Sequence, residues 1–390
     1  MSPKSKKEYM TEIKTRYKNS SKKGKQLILD EFCKVCDYNR KYAIRIINSN
    51  PPVPHKHQLS KRGRKKHYSD PLIKEILWDM WTITNLPCSK RLKAILPLWL
   101  PHYEYEIPDH IYSLLISISP ATIDRLMKPD RAKFIKKGLS TTKPGSLLRK
   151  HIPIKTEQWN ETVPGFIEVD TVAHCGSSTA GMFVYTINSV DIATQWSEQR
   201  AVWGKGEKGV INAIENIENS LPFELKGFDC DNGSEFLNWH LYHYFVQRKK
   251  PVNFTRSRAY RKNDNAHIEE KNWTHVRQYL GYERFDKIEL VQHLNNLYTT
   301  EWRLLFNFFM PSVKLQDKIR VGSKVIKKHD QPKTPFQRVL ESTEIPEDTK
   351  TQLKKDFENL NPFVLQRNMT AKIKAILKIV KAHEIPNKKL

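Results

Sequence analysis

The sequence predicts a multidomain fold: an all-α N-terminal region, an α/β layered core in the middle, and a small basic C-terminal region. Three observations carry this expectation. Apolar residues recur at helical spacing through most of 1–130, and β-rich runs alternating with helical stretches begin near 164. Charge is also segregated. The chain carries 67 Lys and Arg against 42 Asp and Glu, a net of +25. Residues 1–150 hold 32 basic and 13 acidic residues, a net of +19, whereas 161–300 hold 15 and 18, a net of −3. Basic flanks around a near-neutral centre suit a polyanionic partner, and double-stranded DNA is the expected one.

The 390 residues leave room for several domains. Five cysteines in such a length argue against a disulfide framework and for a reducing compartment. The opening residues, Met1 to Lys7, contain no apolar stretch of the secretory kind. No apolar run approaches the roughly 18–20 residues of a membrane span. The expected location is cytoplasmic and nucleoid-associated, with no membrane partner.

A helix-turn-helix DNA-binding domain is expected over 1–55. Ile28, Phe32 and Val35 line one face of a helix over 24–36. Asp37-Tyr38-Asn39 breaks it, and a basic amphipathic helix follows. There Ala43, Ile46 and Ile47 face inward, and Arg40, Lys41 and Arg45 are left to meet DNA. Cys33 and Cys36, with His55 and His57, have the ligand types of a zinc site, but two cysteines at i and i+3 equally fit one buried helix face.

A basic linker over 56–68 contains Arg62-Gly63-Arg64, suited to a narrow minor groove or to phosphates. A second helical, helix-turn-helix-like region is expected over 69–130. Its helices place Ile73, Ile76, Leu77 and Met80, then Leu92, Ile95 and Leu96, then Ile123, Leu126 and Met127 on apolar faces. Residues 131–163, broken by Pro144, Gly145 and Pro153, read as a connector.

The core is expected over 164–300. Strands are predicted near 166–172, 182–190 and 193–202, forming an antiparallel meander. A helix with Val210, Ile214 and Ile217 on one face follows. Next come a strand over 225–231, a helix near 236–247, a strand near 252–255 and a helix from about 264. Three antiparallel strands followed by αβαβα is the order of a ribonuclease-H-like layered fold. Residues 301–390 read as basic around Lys314–Lys328, then acidic and helical.

Carboxylates in this core point to chemistry. Asp170 lies in Glu168-Val169-Asp170, within the first strand. Asp231 opens Asp231-Asn232-Gly233-Ser234-Glu235-Phe236 at a strand exit, where Asn-Gly supplies a sharp turn. Strand exits are where α/β proteins place ligands. Glu269 closes Asn265-Ala266-His267-Ile268-Glu269 near a helix start. Acidic side chains clustered without a cation repel one another, so converging carboxylates imply a hard divalent metal. Two Mg²⁺ (or Mn²⁺) ions per active site would serve phosphodiester chemistry.

These three motifs, in this order, resemble those of DDE transposases with a retroviral-integrase-like catalytic core. Sixty residues separate the aspartates, and 37 separate Asp231 from Glu269, about the family's spacing for its last pair. The layout resembles bacterial insertion-sequence transposases, which implies binding of the element's ends, strand cleavage and strand transfer by a homo-oligomer on DNA. Ala266 stands where integrase cores usually carry glycine, and the cysteines precede the histidines, the reverse of a retroviral zinc module.

Glu270, Asp229 and Glu168 are neighbouring acids. Glu270 is expected to face solvent, Asp229 to lie behind the site or in solvent, and Glu168 to support Asp170. Glu235 matches the motif without being a ligand there. His174 and His267 are expected at the surface. Arg256, Arg258, Arg261 and Lys262 form a basic loop before the Glu269 helix, placed to hold phosphates. Two other readings share this pattern: an inactive end-binding protein, and a nuclease of the ribonuclease-H type.

Overall fold

A computed structural model of the chain describes residues 1–49, 67–131, 161–231, 233–257, 266–321 and 324–382. It divides into two compact units, Met1–His67 and Tyr68–Leu390.

The first unit has three helices: α1 (Pro3–Asn19), α2 (Lys22–Cys36) and α3 (Arg40–Asn48). Each begins at a side chain that accepts an orphan backbone N–H: Ser2, Ser21 and Asn39. The turn between α2 and α3 has Asp37 in the left-handed region, φ 55°. The inward face of α2 is Ile28, Leu29, Phe32 and Cys36 rather than the expected face through Val35. Val35 is 45% exposed, because Cys36 completes the stripe instead. Cys36 is thus a core residue, while His55 and His57 lie outside the described residues.

The second unit begins with α4 (Pro71–Ile83), α5 (Ser89–Trp99), α6 (Asp109–Ser117) and α7 (Pro120–Arg131). Asp70 caps α4 through the Leu72 N–H, with Pro71 in the first turn. Pro97 does not end α5, which continues to Trp99.

Then comes a five-stranded sheet. Its strands are β1 (Phe166–Ala173), β2 (Val184–Asp191), β3 (Ser197–Trp203), β4 (Gly227–Cys230) and β5 (Asn253–Arg256), in the order β3-β2-β1-β4-β5. β1, β2 and β3 pair antiparallel, while β4 and β5 run parallel to β1. Helix α8 (Glu207–Ser220) crosses from β3 to β4, and α9 (Trp239–Val246) from β4 to β5.

Alternation along β1 divides its side chains between two cores. Ile167 and Val169 join α8 and α9 residues such as Ile214 and Phe245 on one face. Val172 belongs to the other face, packed with the helices that follow the sheet. Those are α10 (Ala266–Lys271), a wide π-helical turn (Asn272–Arg277), α11 (Gln278–Leu280), α12 (Glu289–Leu297), a second wide turn (Tyr298–Trp302) and α13 (Arg303–Phe309).

A hairpin, β6 (Leu315–Val321) and β7 (Lys324–His329), follows where the sequence reads only as a basic stretch. The chain then forms α14 (Pro335–Glu341), α15 (Glu347–Glu358) and α16 (Pro362–Lys381). The apolar faces of α4 to α7 share one core with α11 to α16. Trp99 donates from its indole to the Phe309 carbonyl at 3.2 Å and meets the Phe363 ring edge-on at 5.0 Å. The second helical region is therefore packed against the sheet-bearing part of the chain.

Candidate active site

Sheet register brings the two aspartates together. Glu168 pairs with Asp229 and Val169 with Cys230, so the next step sets Asp170, still within β1, beside Asp231, the first residue past β4. Neighbouring strands lie about 4.8 Å apart. Asp170 and Val172 share the β1 face that looks toward α10, two residues apart on a two-residue repeat.

Each carboxylate is held by named donors. One oxygen of Asp170 accepts from the Thr171 N–H at 2.7 Å, and the other from Asn272 Nδ2 at 2.7 Å. Asn272 in turn accepts from Asn188 Nδ2 on β2 at 2.8 Å. Asp231 accepts from the Gly233 N–H at 2.8 Å. A Cβ at Gly233 would lie 2.6 Å from Glu235 Oε2 and 2.8 Å from Asp231 Oδ1, so a larger residue there would displace those two carboxylates.

Burial and neighbouring carboxylate charge raise both aspartates. Asp170 is pushed up to about 7, first by desolvation and then by the Asp231 charge, against the Thr171 and Asn272 hydrogen bonds. Asp231 is raised by desolvation and by Glu235, against Gly233 and Lys205. Glu235 is committed elsewhere: it accepts from Thr171 Oγ1 at 2.9 Å and pairs with Lys205.

Glu269 lies in the first turn of α10 and is exposed. Two contacts fix that helix to β1. Glu168, 2% exposed, accepts from the Ile268 N–H at 3.2 Å, and Asn272 reaches Asp170. Residues three apart lie about one turn apart on a shared helix face, so Glu269 is about one turn from Asn272, the residue that reaches Asp170. Glu168 therefore supports the site by anchoring the Glu269 helix, a more specific role than the one expected of it.

Among the described residues, no group of three or more His, Cys, Asp and Glu side chains is gathered closely enough to hold a metal ion. The donor chemistry of the aspartate pair nevertheless fits one. Two hard-oxygen carboxylates, both raised by burial and by neighbouring carboxylate charge, are what a divalent cation would return to the charged form.

Other expected residues are placed differently. His174 and His267 are buried, at 0% and 9%, not surface residues. His174 stacks on Phe285 at 4.5 Å and contacts Thr186 through Nε2 at 2.8 Å, and desolvation pushes it down to about 3, so it is neutral. Asp229 is buried and accepts from Thr255 Oγ1 at 2.6 Å, behind the site rather than in solvent. Arg256 is the last residue of β5 and 8% exposed, not part of an open loop. Arg258, Arg261, Lys262, Arg62 and Arg64 lie outside the described residues. Arg40, Lys41 and Arg45 are exposed on α3; Arg40 pairs with Asp30, and Arg45 lies over the Tyr42 ring at 5.1 Å.

Sequence reasoning does not single out Asn272, which donates to Asp170, or Lys205, which pairs with Glu235. Asn272 sits one turn after Glu269, a spacing visible in the sequence, but it carries no charge to flag it. Lys205 sits between Gly204 and Gly206 after β3, and only the fold brings it to Glu235.

The fold and site define a protein with helices on both faces of a mixed sheet and an aspartate pair on two adjacent parallel strands, Asp170 within β1 and Asp231 just past the end of β4. No protein-family model matches the chain. It is 37% identical over 341 residues to a protein of Sinorhizobium fredii (strain NBRC 101917 / NGR234) described as "Uncharacterized protein y4rM", covering 85% of this chain and 94% of that one. The chain belongs to the family of that protein. Two solved structures are distantly similar. One is a chain of the simian T-cell lymphotropic virus intasome in complex with PP2A regulatory subunit B56 gamma, at TM-score 0.33 and 11% identity, covering 62% of this chain and 73% of that one. The other is the catalytic core domain of BIV integrase, at TM-score 0.29 and 13% identity, covering 48% of this chain and 99% of that one.

Proposed function

We propose that this chain is a DNA transposase of the DDE type, built on a ribonuclease-H-like core, that cleaves and rejoins DNA strands at the ends of its own element. The observation that carries the reading is the Asp170–Asp231 pair, side by side on two adjacent parallel strands, with Glu269 on a helix tied to β1 by Glu168 and Asn272. Asp170, Asp231 and Glu269 would hold Mg²⁺ or Mn²⁺. Bound there, the ions would neutralise phosphate charge, activate the attacking oxygen and stabilise the leaving one.

The chain's own residues prepare that chemistry. Asn272 fixes one oxygen of Asp170, and the Gly233 N–H fixes one of Asp231, so each carboxylate keeps lone pairs directed elsewhere. Lys205 offsets Glu235, limiting the negative charge at the pair. The exposed cations of α3, Arg40, Lys41 and Arg45, suit duplex binding by a helix-turn-helix, and double-stranded DNA is the proposed partner.

The deciding experiment is strand cleavage and transfer with Mg²⁺ on DNA carrying the element's ends, comparing the wild type with Asp231→Asn. Product from the wild type alone is expected. Equal product from both would remove Asp231 from the site and the assignment with it.

One observation favours a second reading, an inactive end-binding protein: Asn272 already occupies one Asp170 oxygen, and no three-residue metal cluster forms among the described residues. Duplex binding indifferent to Mg²⁺, with no cleavage, would select it.

A further inference from the structure

The chain has nine tryptophans. Most of those described are interior: Trp99, Trp196 and Trp302 are at most 1% exposed, Trp81 is 5%, and Trp78 and Trp203 pack partly against the same core. Two stand out: Trp239 at 50% and Trp273 at 49%. An indole is costly to leave half in water, because it removes much of the burial that so large an apolar side chain offers. Trp239 meets rings of its own helix, stacking on His243 at 5.8 Å and meeting Tyr242 edge-on at 5.6 Å. Trp273 has no such ring contact among the described residues.

The position of Trp273 is specific. It lies four residues after Glu269, one turn along, and directly follows Asn272, whose amide touches Asp170. Its helix buries Ile268, Lys271, His275 and Val276, leaving Glu269, Glu270 and Trp273 exposed. Trp273 also falls in the wide π-helical turn, a distortion found often at functional sites.

The cations nearest in sequence face elsewhere. Lys271 is 5% exposed beside His275, and Arg277 donates to the Ala173 carbonyl at 2.6 Å. On this helix surface the Trp273 indole is exposed, while the two described cations nearest it in sequence, Lys271 and Arg277, are engaged elsewhere. A nucleic acid meeting Trp273 would meet a π face there. Bases inside a duplex have both faces stacked, so only a terminal or extruded base offers one.

We propose that Trp273 is a stacking platform for an unpaired nucleobase next to the phosphate that a metal ion bound by Asp170 and Asp231 would hold. This inference rests on the DNA reading of the site and adds that the substrate is engaged with its end opened.

The test uses the full chain, with Mg²⁺, and two labelled duplex oligonucleotides: one fully paired, the other identical but mismatched, and so frayed, at one end. A 2-aminopurine at the frayed terminal position reports stacking. The wild type is expected to bind the frayed duplex about 10-fold more tightly and to quench the 2-aminopurine. Trp273→Ala should lose both effects while binding the paired duplex as before, Trp273→Phe should keep most of both, and Trp239→Ala should keep them fully. Retention of the preference and the quench in Trp273→Ala would overturn the proposal. So would wild-type binding without preference, leaving the DNA reading intact. No wild-type binding of either duplex would overturn both. The exposure of Trp273 makes loss of folding an unsuitable explanation, and an unchanged melting temperature checks this.

Discussion

Asn272 illustrates how little charge a positioning residue needs. Its amide donates to Asp170 and its carbonyl oxygen accepts from Asn188, so the Glu269 helix, β1 and β2 meet at one side chain. Asn272→Ala should leave the fold intact yet reduce Mg²⁺-dependent cleavage by about 10–100-fold, the usual cost of removing a residue behind a metal ligand. Titrating activity against Mg²⁺ checks this, and the deficit should shrink as Mg²⁺ rises. The aspartates themselves give a stability prediction. Asp170 holds its proton up to about 7 in the folded chain, whereas an unfolded aspartate releases it near about 3.9. Between those values the unfolded state binds fewer protons, so metal-free stability falls as pH rises from about 4 to about 7. Asp170→Asn removes that decline. Its metal-free melting temperature should exceed the wild type's by a few degrees at pH 8, about 2–4 °C for each kcal/mol, and match it near pH 4. Added Mg²⁺ should raise the wild type and not the variant.

At the scale of elements, the α10 anchor and the α3 surface are separable. Glu168→Ala removes the acceptor of the Ile268 N–H and should let the start of α10 fray. Hydrogen exchange at 266–271 should quicken while amides of α8 and α9 stay protected. Replacing Arg40, Lys41 and Arg45 by alanine should instead weaken duplex binding and flatten its salt dependence, by about 0.9 in slope for each phosphate that is no longer neutralised, without changing the melting temperature of the Tyr68–Leu390 unit. Elements also show what a sequence discloses. The five strands are legible as runs of β-rich sequence, in which Ile167 and Val169 keep a two-residue repeat, and Ile214 and Ile217 mark the helix between them by their 3.6-residue spacing. The β6–β7 hairpin is not, although Ile319, Val321 and Ile326 recur there: all three are exposed, and lysines interrupt them, so no burial pattern marks the strands. The burial of His174 and Arg256 depends on neighbours distant in sequence, Phe285 and the adjoining strand, which local spacing does not reveal.

At the scale of the whole molecule, α4 to α7 and the helices after the sheet form one interior within the Tyr68–Leu390 unit. Deleting the Trp99 side chain should cost about 3–5 kcal/mol, because it empties the junction of α5, α13 and α16. Urea unfolding of Trp99→Ala measures it. A chain beginning at Tyr68 should unfold cooperatively with near wild-type stability; one beginning at 164, stripped of α4 to α7, should expose the partners of Ile73, Leu77 and Leu96 and fail to fold. The apolar stripes of those helices are legible in the sequence, but not the surface they cover: a stripe shows that a helix is buried without naming its partner.

The pairing of Trp99 with Phe363, and of Glu104 with Arg367, sets a timetable for synthesis. These partners lie more than 260 residues apart, and a ribosome adding about 5–20 residues per second needs roughly 13–50 s between them. During that interval α4 to α7 and the sheet wait with an apolar flank uncovered. The interior closes only when α16 has emerged, so a nascent chain already carrying all three carboxylates still lacks its packed flank, and the site's elements are made well before the core that steadies them.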